Sequence, residues 1–154
     1  MRTKQAKNKI ISADPLYKSR VVARLINKVM KGGKKSLAEG IVYTVLDNLS
    51  KDRKEALISL EQAVKNVMPK QEVRSRRVGG ATYQIPFPLK HDRSEALAIR
   101  WLVDVAKSRK GKPMNEKLLE EVKSASGGTG GAIKKRDDTH KMAEANRAFS
   151  HFRF

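Results

Sequence analysis

Apolar residues recur every three or four positions along most of this chain, which is the spacing of one face of an α-helix. The pattern predicts five helices with polar opposite faces. They run from Val21 to Met30, Leu37 to Leu49, Ala56 to Val67, Leu97 to Ala106 and Met114 to Ala125. A thinner stripe of Met142, Ala145 and Phe149 predicts a last helix from Lys135 to Phe149. The chain is therefore expected to be mostly helical.

Local signals place the ends of the first two helices. Gly32–Gly33 follows the first helix, and glycine readily adopts the left-handed conformation that closes helices. Ser36 and Glu39 then fit a capping box, in which the serine oxygen accepts a backbone hydrogen bond and the carboxylate reaches back. The second helix is expected to start there, with Leu37 on its inward face.

A glycine-rich segment precedes the last predicted helix. Gly127–Gly131 lacks a preceding strand and the spacing of a dinucleotide-binding loop, so it is interpreted as a flexible joint. Asp137–Asp138 follows shortly afterwards. We interpret these two acids as residues near a helix amino terminus, where the helix dipole favours negative charge.

Between the third and fourth helices the period changes to two. Tyr83, Ile85 and Phe87 alternate with polar residues and proline, and Gly79–Gly80 suits a two-residue hairpin turn. The pattern predicts a two-stranded β-ribbon over residues 72–89. Its prolines cannot donate to a ladder, so the ribbon must have an open edge. We expect its apolar face to pack on the domain and its arginines to point outward.

Length and composition indicate one domain with its own core. The 154 residues are 39% hydrophobic, enough for one compact domain and too little for a second core. The absence of cysteine excludes disulfide frameworks and thiolate nucleophiles. No segment is expected to span a bilayer, and the basic amino terminus lacks the apolar stretch of a secretory signal. The protein is therefore expected to stay in the compartment where it is made.

Charge narrows the possible partners. The chain has 34 Lys and Arg against 16 Asp and Glu, a formal net charge of +18. Residues 1–18 are interpreted as a basic arm, and residues 24–35 carry five cations without an acid to neutralise them locally. Such clustering is typical of a surface for an anionic partner, either nucleic acid or an acidic membrane.

The sequence contains little that indicates a metal site, a phosphate loop or a catalytic site. His91, His140 and His151 lie far apart and without carboxylates at metal-ligand spacing, so no metal site is predicted. The segment 32–36 does not match a phosphate loop, because Lys34, the lysine that follows glycine, is followed by Lys35 and not by Ser or Thr, and Lys28 stands where the first glycine is needed. Because no nucleophile, base and orienting group come together, the sequence predicts neither an enzyme nor a cofactor.

Long motifs resemble a known family. They include VRSRRVGGATYQIP at residues 73–86 and KKRDDTHKMAEANRAF at residues 134–149, together with segments 33–43 and 96–102. Over essentially its whole length the chain resembles bacterial-type small-subunit ribosomal protein seven. The resemblance implies one ribosomal RNA-binding domain, a bundle of about six helices with one protruding β-ribbon, a basic N-terminal arm, and a C-terminal helix and tail over residues 132–154.

The resemblance also implies a function. It implies a structural constituent of the small ribosomal subunit that binds small-subunit rRNA directly and helps nucleate assembly of the head domain. It further implies a position near exit-site tRNA and the mRNA path, with neighbouring head proteins as partners. Its expected location is the cytoplasmic small subunit, with an organellar ribosome left open, and no cofactor or membrane is involved.

Site residues are carried over by position. The rRNA contacts are expected from the arm, the first helix and its loop, the fourth-helix region and the last segment, namely Arg2, Lys4, Lys7, Lys9, Arg24, Lys28, Lys31, Lys34, Lys35, Arg93, Arg100, Lys107, Arg109, Lys134, Lys135 and Arg136. The residues expected near tRNA or mRNA are Arg74, Arg76, Arg77 and Tyr83. One phosphate-facing patch is expected from Arg24, Lys28, Lys34 and Lys35. Binding should depend strongly on salt and read RNA shape more than base edges.

Two other classes of protein stay open from the residues alone. A DNA-binding or architectural protein would place basic helices in a groove, but no recognition helix follows a helix-turn-helix spacing here. A membrane-surface protein would use the basic amphipathic helix from Ser19 to Lys31, although its apolar side is more simply explained as core. Competition between structured rRNA and duplex DNA, and binding to anionic vesicles, would separate these classes.

Overall fold

The computed structural model describes residues 11–152. In this range the α-helices are α1 (Arg20–Val29), α2 (Lys35–Leu49), α3 (Arg53–Val67), α4 (His91–Ser108), α5 (Met114–Ser126) and α6 (Gly131–Ala145). Strands β1 (Gln71–Val78) and β2 (Ala81–Pro88) lie between α3 and α4, and a 3-10 helix (Arg147–Phe152) follows α6. The expected mostly helical bundle with one two-stranded ribbon is confirmed. None of the described helices has the length and apolar content needed to cross a bilayer.

The core forms where the apolar faces of the helices meet. Helix α5 packs against α2, α3 and α4 and buries Leu118 completely. Leu25, Leu46, Leu60 and Leu102 on the surrounding helices are at most 1% exposed. Full burial of one such side chain contributes roughly 1.5–3 kcal/mol relative to exposure. These positions were predicted to face inward from the helical spacing, and the prediction is confirmed.

The segment before α1 is anchored by one buried carboxylate. Asp14 is 3% exposed and accepts a 2.8 Å hydrogen bond from the hydroxyl of Tyr43 on α2. Its other oxygen accepts from the backbone N–H groups of Leu16 and Tyr17. Burial raises the pKa of Tyr43 to about 12, so its hydroxyl stays a donor at neutral pH. The chain is therefore fixed at this point, although residues 11–18 were interpreted as part of the arm.

The start of α2 differs from the prediction. The helix begins at Lys35, with Lys34 at the cap position and no side-chain cap hydrogen bond. The prediction of a capping box is therefore wrong. Ser36 lies within the first helical turn and cannot take the extended conformation that a capping serine adopts. Glu39 faces Lys35 instead, with Nζ and Oε1 3.6 Å apart. Leu37 is 61% exposed and does not face inward.

The connection from α5 to α6 is tightly packed, so the prediction of a flexible joint is wrong. Gly131 begins α6, and a Cβ atom there would lie 2.7 Å from Cγ1 of Val105 on α4. Gly130 has a φ of 103°, which favours glycine. Buried Glu121 of α5 accepts a 2.8 Å hydrogen bond from the N–H of Ala132. This bond satisfies one of the donors that a helix amino terminus leaves free.

The last helix begins and ends earlier than predicted. Because α6 starts at Gly131, Asp137–Asp138 lies in its middle, and their placement at the amino terminus is wrong. The buried face also differs, since Met142 is 54% exposed. Phe149 belongs to the 3-10 helix and contacts Tyr83 of β2, with ring centroids 5.1 Å apart. The residues of α6 that are buried are Ala132, Ile133 and Ala143.

The ribbon has the predicted turn. Its strands pair antiparallel, with Val78 opposite Ala81 at the tip. Between them Gly79 and Gly80 have φ values of 56° and 90°. A two-residue type I′ turn requires positive φ at both central positions, so the glycine pair is confirmed as the turn.

The faces of the ribbon are arranged differently from the prediction. Directly opposite residues share a face of an antiparallel pair, and Arg74 lies opposite Ile85 while Arg76 lies opposite Tyr83. Both guanidinium groups lie over the ring of Phe87, 5.4 and 5.5 Å from its centroid. The arginines are exposed, as expected, but these two share the face of the apolar residues. Helix α6 and the 3-10 helix support the ribbon, which would be marginal alone.

The ribbon tip should be dispensable for folding. Replacing Arg77–Thr82 by Gly-Gly keeps the Arg76–Tyr83 pair and the register below it. Because the removed side chains are outside the core, we expect a cooperative transition and a change in unfolding free energy of less than about 1 kcal/mol. Urea unfolding followed by circular dichroism measures this. The control Tyr83→Ala, which removes ring contacts to Phe149 and Phe152, should destabilise more. Loss of cooperativity in the shortened chain would contradict the prediction.

Candidate nucleic-acid interface

The structure divides the cations expected to bind rRNA into two groups. Within residues 11–152, those that face a carboxylate in an ion pair are Arg24, Lys35, Arg93, Arg109 and Arg136. The others in that range have no ion pair with another described residue, and they are Lys28, Lys31, Lys34, Arg100, Lys107, Lys134 and Lys135. The predicted contacts Arg2, Lys4, Lys7 and Lys9 lie outside the described residues.

Arg24 connects two helices. Its Nη1 atom on α1 lies 2.5 Å from Oε2 of Glu95 on α4, and its Nη2 atom lies 3.8 Å from Oδ1 of Asp92. Glu95 is 8% exposed, so its carboxylate is largely shielded from water, whereas the Arg24 side chain is partly exposed. Segment 24–35 itself contains no acid, but in the folded chain Glu95 pairs with Arg24, and Glu39, four positions beyond the segment, faces Lys35.

The four residues of the expected phosphate-facing patch do not line one depression. Arg24 and Lys28 line a groove between α1 and α4. Lys34 lines another depression, beside Met30 and Met114 at the ends of α1 and α5. Lys35 lines a third depression, which shares Ile11 and Asn27 with the groove. The single patch stays a prediction.

Other paired arginines also join elements. Arg93 of α4 lies 3.2 Å from Glu72 of β1. Arg136 of α6 donates a 2.5 Å hydrogen bond to the backbone carbonyl of Asn66 on α3 and also faces Asp137. Each bond holds two elements in fixed relative positions. These arginines therefore link elements of the fold, and their contacts with rRNA stay a prediction.

Arg109 is the most deeply engaged of them. Its guanidinium donates to the carboxylate of Glu121, which is 0% exposed, and to Glu120 at 3.1 Å. The hydrogen bond that Arg109 donates to Glu121 raises the pKa of Arg109 above its ordinary value. Since Glu121 also accepts from Ala132, Arg109 belongs to the group of contacts that fixes the start of α6.

The ribbon residues expected near tRNA or mRNA differ in their ion pairs and their burial. Arg74 lies 2.5 Å from Glu72, whereas Arg76 and Arg77 form no ion pair with another described residue. Tyr83 is half-buried against the 3-10 helix.

At the base of the ribbon, Nε2 of His140 accepts a 3.0 Å hydrogen bond from the N–H of Lys70. Burial, with Arg136 nearby, lowers the pKa of His140, so its ring stays neutral and able to accept at neutral pH.

One cluster has the residue types of a metal site. Ligand atoms of His91, Asp92 and Glu95 lie within 4.8 Å of one another at the start of α4. The expectation that the histidines lack carboxylates at metal-ligand spacing is wrong for His91, and the i, i+1, i+4 spacing was the available signal. The guanidinium of Arg24 already faces both carboxylates, so a metal ion would have to displace it.

Sequence comparison finds relatives of this chain among known proteins. A family model described as "Ribosomal protein S7p/S5e" matches residues 1–147. The chain is 54% identical to "Small ribosomal subunit protein uS7" of Fervidobacterium nodosum over 100% of both chains. It is 57% identical to the protein of that name from Pelotomaculum thermopropionicum, over 92% of this chain and 91% of the relative. The chain therefore belongs to the ribosomal protein S7p/S5e family.

Proposed function

We propose that this protein is a structural component of the small ribosomal subunit that binds small-subunit rRNA directly. Its family and the names of its relatives support the ribosomal role, which is one of binding and not of catalysis. The observation that carries RNA binding is the division of its cations. With a formal charge of +18, the chain uses paired arginines to hold its elements together and leaves lysines of α1, the α1–α2 loop and α6 without an ion pair among the described residues.

The mechanism follows from the behaviour of RNA as a polyanion. Folded rRNA crowds phosphates where its helices meet, and each lysine that reaches a phosphate releases condensed counterions. The paired arginines fix α1 against α4, α4 against the ribbon and α6 against α3. Fixed elements lose little freedom on binding, so less interaction energy is offset by ordering. The protein thus presents a preformed cationic surface that recognises the shape of the RNA backbone.

The finer role that we propose concerns the head of the subunit. The protein helps nucleate head assembly, contacts neighbouring head proteins, and lies near exit-site tRNA and the mRNA path. The exposed ribbon supports this proposal, because Arg76 and Arg77 have no carboxylate partner among the described residues.

Binding of the full chain to transcribed small-subunit rRNA tests the proposal. We expect rRNA to be preferred over duplex DNA of equal length, with the logarithm of the binding constant falling linearly with the logarithm of salt concentration. Filter binding at several potassium chloride concentrations measures both. Equal affinity for the duplex would indicate a general polyanion binder, and binding to anionic vesicles in preference to rRNA would indicate a membrane-surface protein.

A further inference from the structure

The groove between α1 and α4 combines features that the general binding of phosphates does not require. It encloses about 370 Å³, within the range of roughly 300–1,000 Å³ that is typical of small-ligand sites. Its apolar lining comes from Ile11, Ala96 and Ile99. Ile99 is 3% exposed and forms part of the domain core, so this surface is rigid.

Polar groups with distinct capabilities surround that apolar surface. Arg24 lies in the groove with its guanidinium held by Glu95 and Asp92, so its planar group is fixed in place. Asn27 is exposed beside it and offers both an amide donor and an amide acceptor. Lys28 on the α1 side and Arg100 on the α4 side also line the groove, and neither forms an ion pair with a described residue.

We propose that this groove binds one unpaired nucleotide of an RNA strand, with the base on the apolar surface and its flanking phosphates at Lys28 and Arg100. Unpaired bases bind proteins by stacking on apolar, aromatic or guanidinium surfaces and by hydrogen bonds to their edges. Here the exposed side chains of Ile11 and Ala96 supply the apolar surface beside the guanidinium of Arg24, and the amide of Asn27 supplies hydrogen-bonding groups for the base edge. The proposal rests on the proposed RNA binding and names the RNA element that this groove selects.

Charge favours a nucleotide over a peptide as the occupant. The acid that lines the groove, Asp92, faces Arg24 at 3.8 Å. Arg24, Lys28 and Arg100 against Glu95 and Asp92 leave a net charge of +1, and the two cations without an ion pair among the described residues, Lys28 and Arg100, lie one on each side of the apolar surface. A nucleotide has the matching order of groups, since an uncharged ring lies between two phosphates along the strand. An acidic peptide with an apolar side chain is the other candidate, and the experiment includes it.

Two RNA hairpins that differ only in one bulged adenosine test the proposal with the full chain. The wild-type protein should bind the bulged hairpin about tenfold more tightly, in keeping with the stacking of one base. Ala96→Phe fills the groove from an exposed position without changing the charge. This variant should bind the bulged hairpin no more tightly than the fully paired hairpin. The matched control Ala145→Phe, at an exposed position of α6, should keep the preference. A third hairpin, with uridine in place of the bulged adenosine, tests Asn27. Asn27→Ala should reduce the difference in affinity between the adenosine and uridine hairpins.

The outcomes separate the two proposals. Equal binding of both hairpins by the wild-type protein, or a preference that survives Ala96→Phe, would overturn the groove site while leaving RNA binding in place. Loss of salt-dependent binding to both hairpins and to rRNA would instead overturn the proposed function. Competition by an acidic leucine-containing peptide that Ala96→Phe abolishes, without any preference for the bulge, would assign the groove to a protein partner.

Discussion

Replacing Arg109 by alanine is expected to lower the free energy of unfolding by about 3–5 kcal/mol, because it leaves a buried carboxylate without its cation. Glu121 is 0% exposed, and in the variant only the N–H of Ala132 among its present donors would remain. The same carboxylate fixes the start of α6, which lies against Val105 of α4. The loss should therefore extend to the packing of α6. Urea unfolding of the free protein, followed by circular dichroism, measures the effect.

Two further variants isolate the buried pair. Lys110→Ala removes an exposed cation from the same connecting segment and should change stability by no more than about 0.5 kcal/mol. Combining Arg109→Ala with Glu121→Gln should cost less than Arg109→Ala alone, because the neutral amide oxygen can still accept from Ala132. If Arg109→Ala left the stability unchanged and weakened only RNA binding, the structural role of Arg109 would be contradicted. The rRNA contact that the family resemblance implies for Arg109 would then be favoured.

Features set by local chemistry could be predicted from the sequence. The inward positions of Leu46, Leu60 and Leu118 follow from helical spacing, because apolar residues three or four positions apart lie on one face of a helix, and that face packs into the core. The turn at Gly79–Gly80 follows from the positive φ that both positions need. The clustering of cations could also be predicted, since it is a property of the chain before it folds.

Features set by contacts between distant residues could not be predicted. Arg24 looks like any other cation of its segment, and its partner Glu95 comes 71 positions later. Gly130–Gly131 has the composition of a flexible joint, whereas its glycines allow close contact with Glu121 and Val105. The ring of Tyr83 contacts Phe149, which belongs to a different part of the sequence. The division of the cations into paired and unpaired groups is therefore visible only in the folded chain.

That division makes a quantitative prediction for RNA binding. Changing Lys31, Lys34, Lys134 and Lys135 together to glutamine should weaken binding to small-subunit rRNA by a factor on the order of 10²–10³ near physiological salt. All four are exposed and have no ion pair with a described residue, so the fold should be kept. If each contacts one phosphate, the slope of log K against log salt should flatten by about 3 in total. Filter binding across a salt series gives both quantities.

A second set of four lysines controls for net charge. Lys51, Lys54, Lys65 and Lys123 are also exposed and unpaired among the described residues, but none was expected to contact RNA. Either set changed to glutamine lowers the formal charge of +18 by four, so a long-range attraction would weaken equally in both variants. Local phosphate contacts predict a flattened salt slope for the first set alone. Equal losses of affinity would show that the protein binds through its overall charge and would contradict a defined interface.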